Sequence, residues 1–148
     1  MSARRSRPSR WAAAHAGAPG EGRAAARQVA GLALVVGAGI RLQIDANQGW
    51  SPSTAKDTLK KMERFDILFC EQPVRASDVD GLRDVRRTSP IPIMADEAAY
   101  GPADAARLIK AEACDSINIK LMKAGSLQAM RIMAHAAEAA NMPCMVGC

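Results

Sequence analysis

Four short, mainly apolar runs in the middle of the chain are each followed at once by one charged residue. The runs are residues 42–44, 67–70, 91–95 and 116–119, and the charged residues are Asp45, Glu71, Asp96 and Lys120. The intervals between these charged residues are 26, 25 and 24 residues. A strand, a helix and two loops fill such an interval, so each period predicts one βα unit.

Helical spacing of apolar residues predicts helices on both sides of these runs. Ser51 before Pro52 is typical of an N-cap with proline at the first helical position. We predict helices over residues 24–36, 52–64, 79–87, 102–109 and 127–140, and a fifth strand at 144–146. Unbroken apolar strands that alternate with helices indicate a parallel sheet covered on both faces. The predicted fold class is α/β, a partial (β/α)8 TIM-type barrel of about five parallel strands.

The predicted barrel is incomplete. A closed eight-stranded barrel typically needs about 250 residues, whereas this chain has 148. With three strands fewer, the sheet would expose two long parallel edges, and unpaired edges favour pairing with another chain. We therefore expect self-association through the open sheet edges.

The net charge of +5 is confined to the beginning of the chain. Residues 1–40 hold six arginines and one glutamate, while the remainder has equal numbers of basic and acidic residues. The periodic part thus carries no basic excess that would attract nucleic acid. Residues 1–27 are rich in Ala and Arg and show no strand signal, so we predict a disordered or misassigned segment there and a partial barrel domain over residues 28–148.

Cysteine usage and apolar run lengths bear on location. The four cysteines form no Cys-x-x-Cys pair and fall in or beside apolar runs, which indicates reduced, buried thiols in a cytoplasmic protein. The chain has no apolar run of the roughly 18–20 residues that a membrane span needs. We expect no membrane partner.

The charged residues after the strands predict a chemistry. Asp45, Glu71 and Asp96 would meet at the carboxyl ends of parallel strands, where barrel enzymes place their active sites. Three carboxylates without His or Cys suit Mg²⁺, which prefers hard oxygen ligands. Each carboxylate alone also fits a helix N-cap or a solvated loop residue, but the matched spacing of three favours the metal site.

Lys120 follows the next strand and would face the same opening. A lysine beside a divalent cation loses proton affinity through like-charge repulsion and burial, so it can act as a base. The chemistry that this arrangement allows is removal of a proton α to a carboxylate, with the metal stabilising the enediolate. The alternative for Lys120 is a surface lysine, a description that also fits Lys123.

Five motifs in order resemble the enolase superfamily, and more narrowly its muconate-lactonizing-enzyme subgroup. They lie at residues 45–50, 71–73, 95–97, 118–125 and 145–148. The resemblance implies that Asp45, Glu71 and Asp96 bind Mg²⁺ and that Lys120 is one of two acid/base lysines. It also implies that Asn47 and Glu97 orient the metal ligands and Lys120.

Within the subgroup, residues 117–125 and 145–148 are most similar to dipeptide epimerases of the L-Ala-D/L-Glu type. The implied substrate is a small carboxylate, namely a dipeptide. Muconate cycloisomerases and the o-succinylbenzoate synthase/N-acylamino acid racemase type share the scaffold and stay as alternatives.

The chain departs from the family pattern at the second lysine. The family's Lys-x-Lys motif should fall near residues 16–19, which are Ala-Gly-Ala-Pro, and the first lysine of the chain is Lys56. The family's capping domain and final strand also have no counterpart. We therefore predict that the chain is a fragment of a Mg²⁺-dependent epimerase and that, with one base absent, it does not invert its substrate. The alternative from another class is a non-catalytic remnant or a half-barrel that associates with another chain.

Overall fold

Six parallel strands form one sheet that curls into half of a barrel. The computed structural model describes residues 11–15, 22–36 and 40–147. The strands are β1 (Trp11–His15), β2 (Arg41–Asp45), β3 (Ile67–Glu71), β4 (Ile93–Ala95), β5 (Ser116–Lys120) and β6 (Cys144–Gly147). Their order in the sheet follows their order in the chain, and every neighbouring pair is parallel. The predicted fold class is confirmed.

Helices connect the strands and cover the outside of the sheet. They are α1 (Gly22–Val36), α2 (Pro52–Met62), α3 (Val79–Thr88), α4 (Pro102–Ala111), the single turn α5 (Leu121–Ala124) and α6 (Leu127–Ala139). Apolar side chains of these helices pack against the strands, as Leu59 and Leu108 do, and both are fully buried with Ile93 and Ile117. This aliphatic layer excludes water from the sheet, and each fully buried side chain of this size contributes about 1.5–3 kcal/mol.

The pattern of burial along the strands matches the predicted sheet. In β2, Leu42 and Ile44 are buried while Gln43 and Asp45 are partly exposed, as expected for a strand with one covered face. In β5, residues 116–119 are all buried, so this strand is covered on both faces. Lys120, the last residue of β5, is therefore the first residue of this strand that is partly exposed.

The N-terminal part of the sheet differs from the prediction. Strand β1 lies inside the segment predicted to be disordered, and α1 begins at Gly22, so residue 28 lies within a helix rather than at a boundary. Residues 11–15 contain three alanines and no β-branched residue, so their propensity gives no strand signal. Pairing with β2, in which His15 stands opposite Asp45, supplies the backbone hydrogen bonds instead. Residues 1–10 and 16–21 lie outside the described residues.

Side-chain caps hold the first turns of three helices, namely α2, α3 and, through Ser126 Oγ, α6. Ser51 Oγ accepts a hydrogen bond from the Thr54 backbone N–H at 3.2 Å, as the sequence predicted for α2. Asp78 Oδ1 accepts one from the Gly81 backbone N–H at 2.8 Å at the start of α3. The carboxylate of Asp78 also meets the positive end of the helix dipole.

Replacing Asp78 with alanine should lower the free energy of unfolding by about 1 kcal/mol, because the Gly81 N–H loses its acceptor. Thermal melts followed by circular dichroism measure this change. Ser77→Ala, at the exposed neighbouring position, is the control and should leave the melting temperature unchanged. Equal melting temperatures for Asp78→Ala and wild type would show that the cap adds nothing to stability.

None of the helices in the described part of the chain has the length and apolar character that a membrane crossing requires.

Candidate active site

The four charged residues predicted from the spacing lie at one rim of the sheet. Asp45, Glu71 and Lys120 are the last residues of β2, β3 and β5, and Asp96 follows β4 directly. Asp45 and Glu71 are paired across the two neighbouring strands. Because the strands are parallel, their carboxyl ends place all four side chains on the same side of the half-barrel.

Asp96 is at the centre of this group and is almost fully buried, with 6% of its surface exposed. Lys120 Nζ donates to Asp96 Oδ2 at 2.7 Å, and Lys123 Nζ donates to Asp96 Oδ1. Burial alone would raise the pKa of Asp96, but the hydrogen bonds and charges of the two lysines outweigh it and hold that pKa below its ordinary value. Asp96 is therefore ionised at neutral pH.

Lys123 is buried, so its interpretation as a surface lysine is wrong. Its side chain is only 8% exposed. Its ammonium group donates to Asp96 Oδ1, to the Asp96 carbonyl and, at 3.2 Å, to the Asn118 carbonyl. The single helical turn α5 brings Lys123 back under the end of β5. An ammonium has three N–H donors, so these three acceptors saturate it.

Lys120 differs from Lys123 in having fewer partners and more exposure. Its side chain is 19% exposed, and besides the bond to Asp96 its Nζ lies 3.7 Å from Glu71 Oε1. Burial lowers the pKa of Lys120, but the hydrogen bond to Asp96 and the charges of Asp96 and Glu71 raise it more, so the net pKa lies above its ordinary value. The predicted lowering of the Lys120 pKa requires a cation that offsets the charges of these carboxylates. The described residues alone raise that pKa.

Glu71 carries a raised pKa. Burial is the largest cause, the hydrogen bond that Asn118 Nδ2 donates to Glu71 Oε1 at 2.8 Å opposes it, and the negative charges of Asp45 and Asp96 raise the pKa further. A positive charge placed between these carboxylates would relieve their repulsion. The electrostatics of the rim thus favour a bound cation.

Asn47 and Glu97 lie beside the site in different ways. The backbone N–H of Asn47, not its side chain, donates to Asp45 Oδ1 at 2.8 Å, and Asn47 has a φ of 44°. Glu97 Oε2 is buried and has no hydrogen-bond partner among the described residues. Burial is also the main reason that the pKa of Glu97 is raised, with the charge of Asp96 adding to it.

Gln72 and Asn118 are two further site residues that the spacing of the charged residues does not predict. Gln72 is fully buried and has a φ of 33°. Its Oε1 accepts from the Asp96 N–H at 2.9 Å and the Ala98 N–H at 3.0 Å, and its Nε2 donates to the Val74 carbonyl. Gln72 therefore joins the loops after β3 and β4. The sequence feature that marks Gln72 and Asn118 is a side-chain amide in or directly after a mainly apolar strand.

The donor set at the rim fits a hard divalent cation. Asp45, Glu71 and Asp96 offer only carboxylate oxygens, from neighbouring strand ends. As the side chains stand, however, no three acidic, His or Cys residues of the described ranges are grouped as metal ligands. Both oxygens of Asp96 contact ammonium groups instead. Binding a cation at these carboxylates therefore requires at least Lys120 to move away from Asp96.

Most of the chain is similar to known proteins of one family. The family model described as "Enolase C-terminal domain-like" matches residues 6–148. The L-Ala-D/L-Glu epimerase of Clostridium acetobutylicum is 47% identical over 116 residues, which cover 76% of this chain and 32% of that protein. The chain thus spans about one third of the length of the curated relatives it matches.

Two solved structures show the same fold. The dipeptide epimerase of Cytophaga hutchinsonii, complexed with Mg and the dipeptide D-Ala-L-Val, superposes with a TM-score of 0.86 at 38% identity, covering 91% of this chain and 37% of that one. The muconate lactonizing enzyme of Pseudomonas putida gives a TM-score of 0.88 at 27% identity, covering 94% and 38%. The half-barrel therefore covers less than two fifths of each of these two chains.

Proposed function

Because the chain belongs to the enolase C-terminal domain-like family, we propose that it carries the metal ligands and one acid/base lysine of an enzyme that removes a proton α to a carboxylate. The observation that carries this proposal is the contact of Lys120 Nζ with Asp96 and its approach to Glu71 at the strand ends. It puts a lysine next to the carboxylates that the proposal assigns to the cation.

The proposed reaction is that of a dipeptide epimerase of the L-Ala-D/L-Glu type. The named activity of the Clostridium relative and the dipeptide in the Cytophaga structure support this choice. Muconate cycloisomerase is one alternative, supported by the similar TM-score to the muconate lactonizing enzyme. The o-succinylbenzoate synthase/N-acylamino acid racemase type is the other. All of them act on small carboxylates.

In this proposal Asp45, Glu71 and Asp96 hold Mg²⁺, which when bound stabilises the negative charge that develops on the substrate carboxylate. With the cation bound, the pKa of Lys120 would fall by like-charge repulsion, so Lys120 would leave Asp96, lose its proton to solvent and, as the neutral amine, accept the α-proton at Nζ. Asn118 keeps Glu71 oriented through its 2.8 Å hydrogen bond. The backbone N–H of Asn47 orients Asp45, and Glu97 helps to orient the metal ligands and Lys120 from the loop after β4.

The reaction of this chain would stop short of inversion. Inversion by two opposed bases needs a second lysine on the other face of the substrate, and the positions expected for it, residues 16–19, lie outside the described residues and contain no lysine. Strand β1 before them contains none either. Lys120 alone would remove the proton and return one to the same face.

We place the protein in the cytoplasm. Cys70 and Cys114 are buried free thiols, whereas the predicted burial of Cys144 is wrong, because Cys144 is free and exposed in the edge strand β6. Burial raises the pKa of Cys70 and of Cys114, that of Cys114 to about 12, so these two stay protonated and unreactive. Reduced, unpaired cysteines are typical of that compartment.

A second candidate, from another class, is a half-barrel that pairs with another chain. Strand β6 is at the edge of the sheet in the described part of the chain, with only β5 beside it. Large apolar side chains next to this edge are exposed, among them Val146 at 73%, Met122 at 78% and Leu127 at 69%. Exposed apolar surface beside an unpaired strand favours association.

A thermal melt with and without Mg²⁺ tests the metal-binding part of the proposal. Mg²⁺ at about 100 times its Kd should raise the melting temperature by about 5–10 °C, because a ligand of the native state stabilises it by about 2.7 kcal/mol. Asp45→Asn and Glu71→Gln should each abolish most of this rise. Glu63→Gln, at an exposed position of the same charge type, should keep it. A wild-type melt that is indifferent to Mg²⁺ would reject the metal site.

A further inference from the structure

The two lysines at Asp96 are held in unequal ways. All three N–H donors of Lys123 are used, by one carboxylate oxygen and two backbone carbonyls, and its side chain is 8% exposed. Lys120 makes one hydrogen bond within the described residues and is 19% exposed. Lys120 can therefore leave at the loss of one bond, whereas Lys123 would have to give up three, two of them from carbonyls in the loop and strand that flank the site.

The backbone of Asp96 is fixed as firmly as its Oδ1. The Asp96 N–H donates to Gln72 Oε1 at 2.9 Å, and its carbonyl accepts from Lys123 and from the Ala99 N–H. With the main chain and Oδ1 both held, the carboxylate cannot rotate freely. Once Lys120 departs, Oδ2 loses the hydrogen bond that occupies it, whereas Oδ1 keeps its contact with Lys123.

We propose that Lys123 is a positioning residue that limits Asp96 to one coordinating oxygen and thereby makes the site select Mg²⁺ over Ca²⁺. This inference rests on the proposed function, because it concerns the same metal site. Lys123 itself touches neither substrate nor cation in this arrangement. It acts through Asp96.

The two ions differ in the way they use carboxylates. Mg²⁺ takes an octahedral shell of six oxygens at 2.0–2.1 Å and is served by carboxylates that offer one oxygen each, with water in the other positions. Ca²⁺ takes six to eight oxygens at longer distances and commonly binds a carboxylate through both oxygens. An ammonium that holds Oδ1 therefore removes a ligand that Ca²⁺ would use and Mg²⁺ would not.

Charge alone cannot produce this selectivity. Removing Lys123 deletes a positive charge near the cation and strengthens the binding of every divalent ion by a similar factor. The ratio of the Kd values for Ca²⁺ and Mg²⁺ cancels this common factor. A change in the ratio therefore reports the coordination of Asp96, which neither a lost charge nor a general loss of stability would alter.

Isothermal titration calorimetry of the full chain with MgCl2 and, separately, CaCl2 tests the inference. Wild type should bind Mg²⁺ more tightly than Ca²⁺. In Lys123→Met, which keeps the length of the side chain but has no donor, the ratio of the Ca²⁺ Kd to the Mg²⁺ Kd should fall about tenfold, since Asp96 gains a second free oxygen. Lys110→Met, at an exposed position of α4, should keep the wild-type ratio.

Each result separates the inference from the proposed function. A wild-type chain that binds Mg²⁺ but shows the same ratio as Lys123→Met overturns the inference and leaves the metal site standing. A chain that binds neither ion overturns both. If Lys123→Met does not fold, Lys123→Gln, whose amide offers fewer donors, replaces it in the same titration. A wild-type chain that binds Ca²⁺ as tightly as Mg²⁺ rejects the inference without any variant.

Discussion

Replacing Lys120 with methionine is expected to abolish hydrogen exchange at the α-carbon of a dipeptide substrate. In D2O with Mg²⁺, the wild-type chain should replace the α-proton of one diastereomer of Ala-Glu by deuterium, because the proposed function has Lys120 accept the proton and return a deuteron to the same face. Loss of this proposed base should slow the exchange by about 10³-fold, within the range of general acid–base catalysis. Proton NMR of the α-proton signal measures the rate.

The same spectra distinguish exchange from inversion. With one base, deuterium should enter without the appearance of the second diastereomer. Lys61→Met, at an exposed position in the last turn of α2, should exchange at the wild-type rate. Exchange that persists in Lys120→Met would assign the base to another group, and interconversion of the diastereomers by wild type would show that a second base exists. A wild-type chain without any exchange would contradict the proposal that it performs this half-reaction.

Replacing Gln72 with leucine should have the largest effect on stability. Leucine is of similar size but leaves the Asp96 and Ala98 N–H groups and the Val74 carbonyl without the partners they have in wild type. Buried polar groups without partners cost about 1–3 kcal/mol each, so we expect a loss of about 3–5 kcal/mol. Both residues carry a Cβ, so the strain of the positive φ is similar in the two proteins.

Urea unfolding followed by circular dichroism measures this loss. For a chain of this length, the expected destabilisation corresponds to a fall in melting temperature of about 10 °C. Gln128→Leu makes the same substitution at an exposed position of α6 and should change stability by less than about 0.5 kcal/mol. If the two variants unfold alike, the hydrogen bonds of Gln72 contribute little to the fold.

The parts of the fold that the sequence predicted well are those with strong local signals. The predicted bounds of β2 to β6 and of the helices lie within two residues of the observed ones, because buried strands and helix starts restrict residue type directly. Strand β1 had no such signal. Three alanines form a strand there only because the edge of β2 offers hydrogen-bond partners, and pairing of this kind is invisible in local propensity.

The sequence predicted which charged residues lie together at the site, but it did not predict the hydrogen bonds that hold them. The regular spacing brought Asp45, Glu71, Asp96 and Lys120 to one rim because all four mark the same point of a βα unit. The burial of Lys123 depends on the single turn α5, which follows β5 at once and turns the chain back. The hydrogen bonds of Gln72 and Asn118 cross between elements 24 to 47 residues apart, so they follow from the tertiary structure alone.

The sequential order of the strands has a consequence for how the chain folds. Each strand pairs with the next one along the chain, between residues only 22 to 30 positions apart. Loop closures of similar and modest length carry similar entropy costs, so no adjacent strand pair is much more costly to form than another. The sheet can therefore grow one strand at a time from any adjacent pair, as in repeat proteins. The rim that gathers the carboxylates is assembled by the same stepwise growth, one charged residue with each added strand.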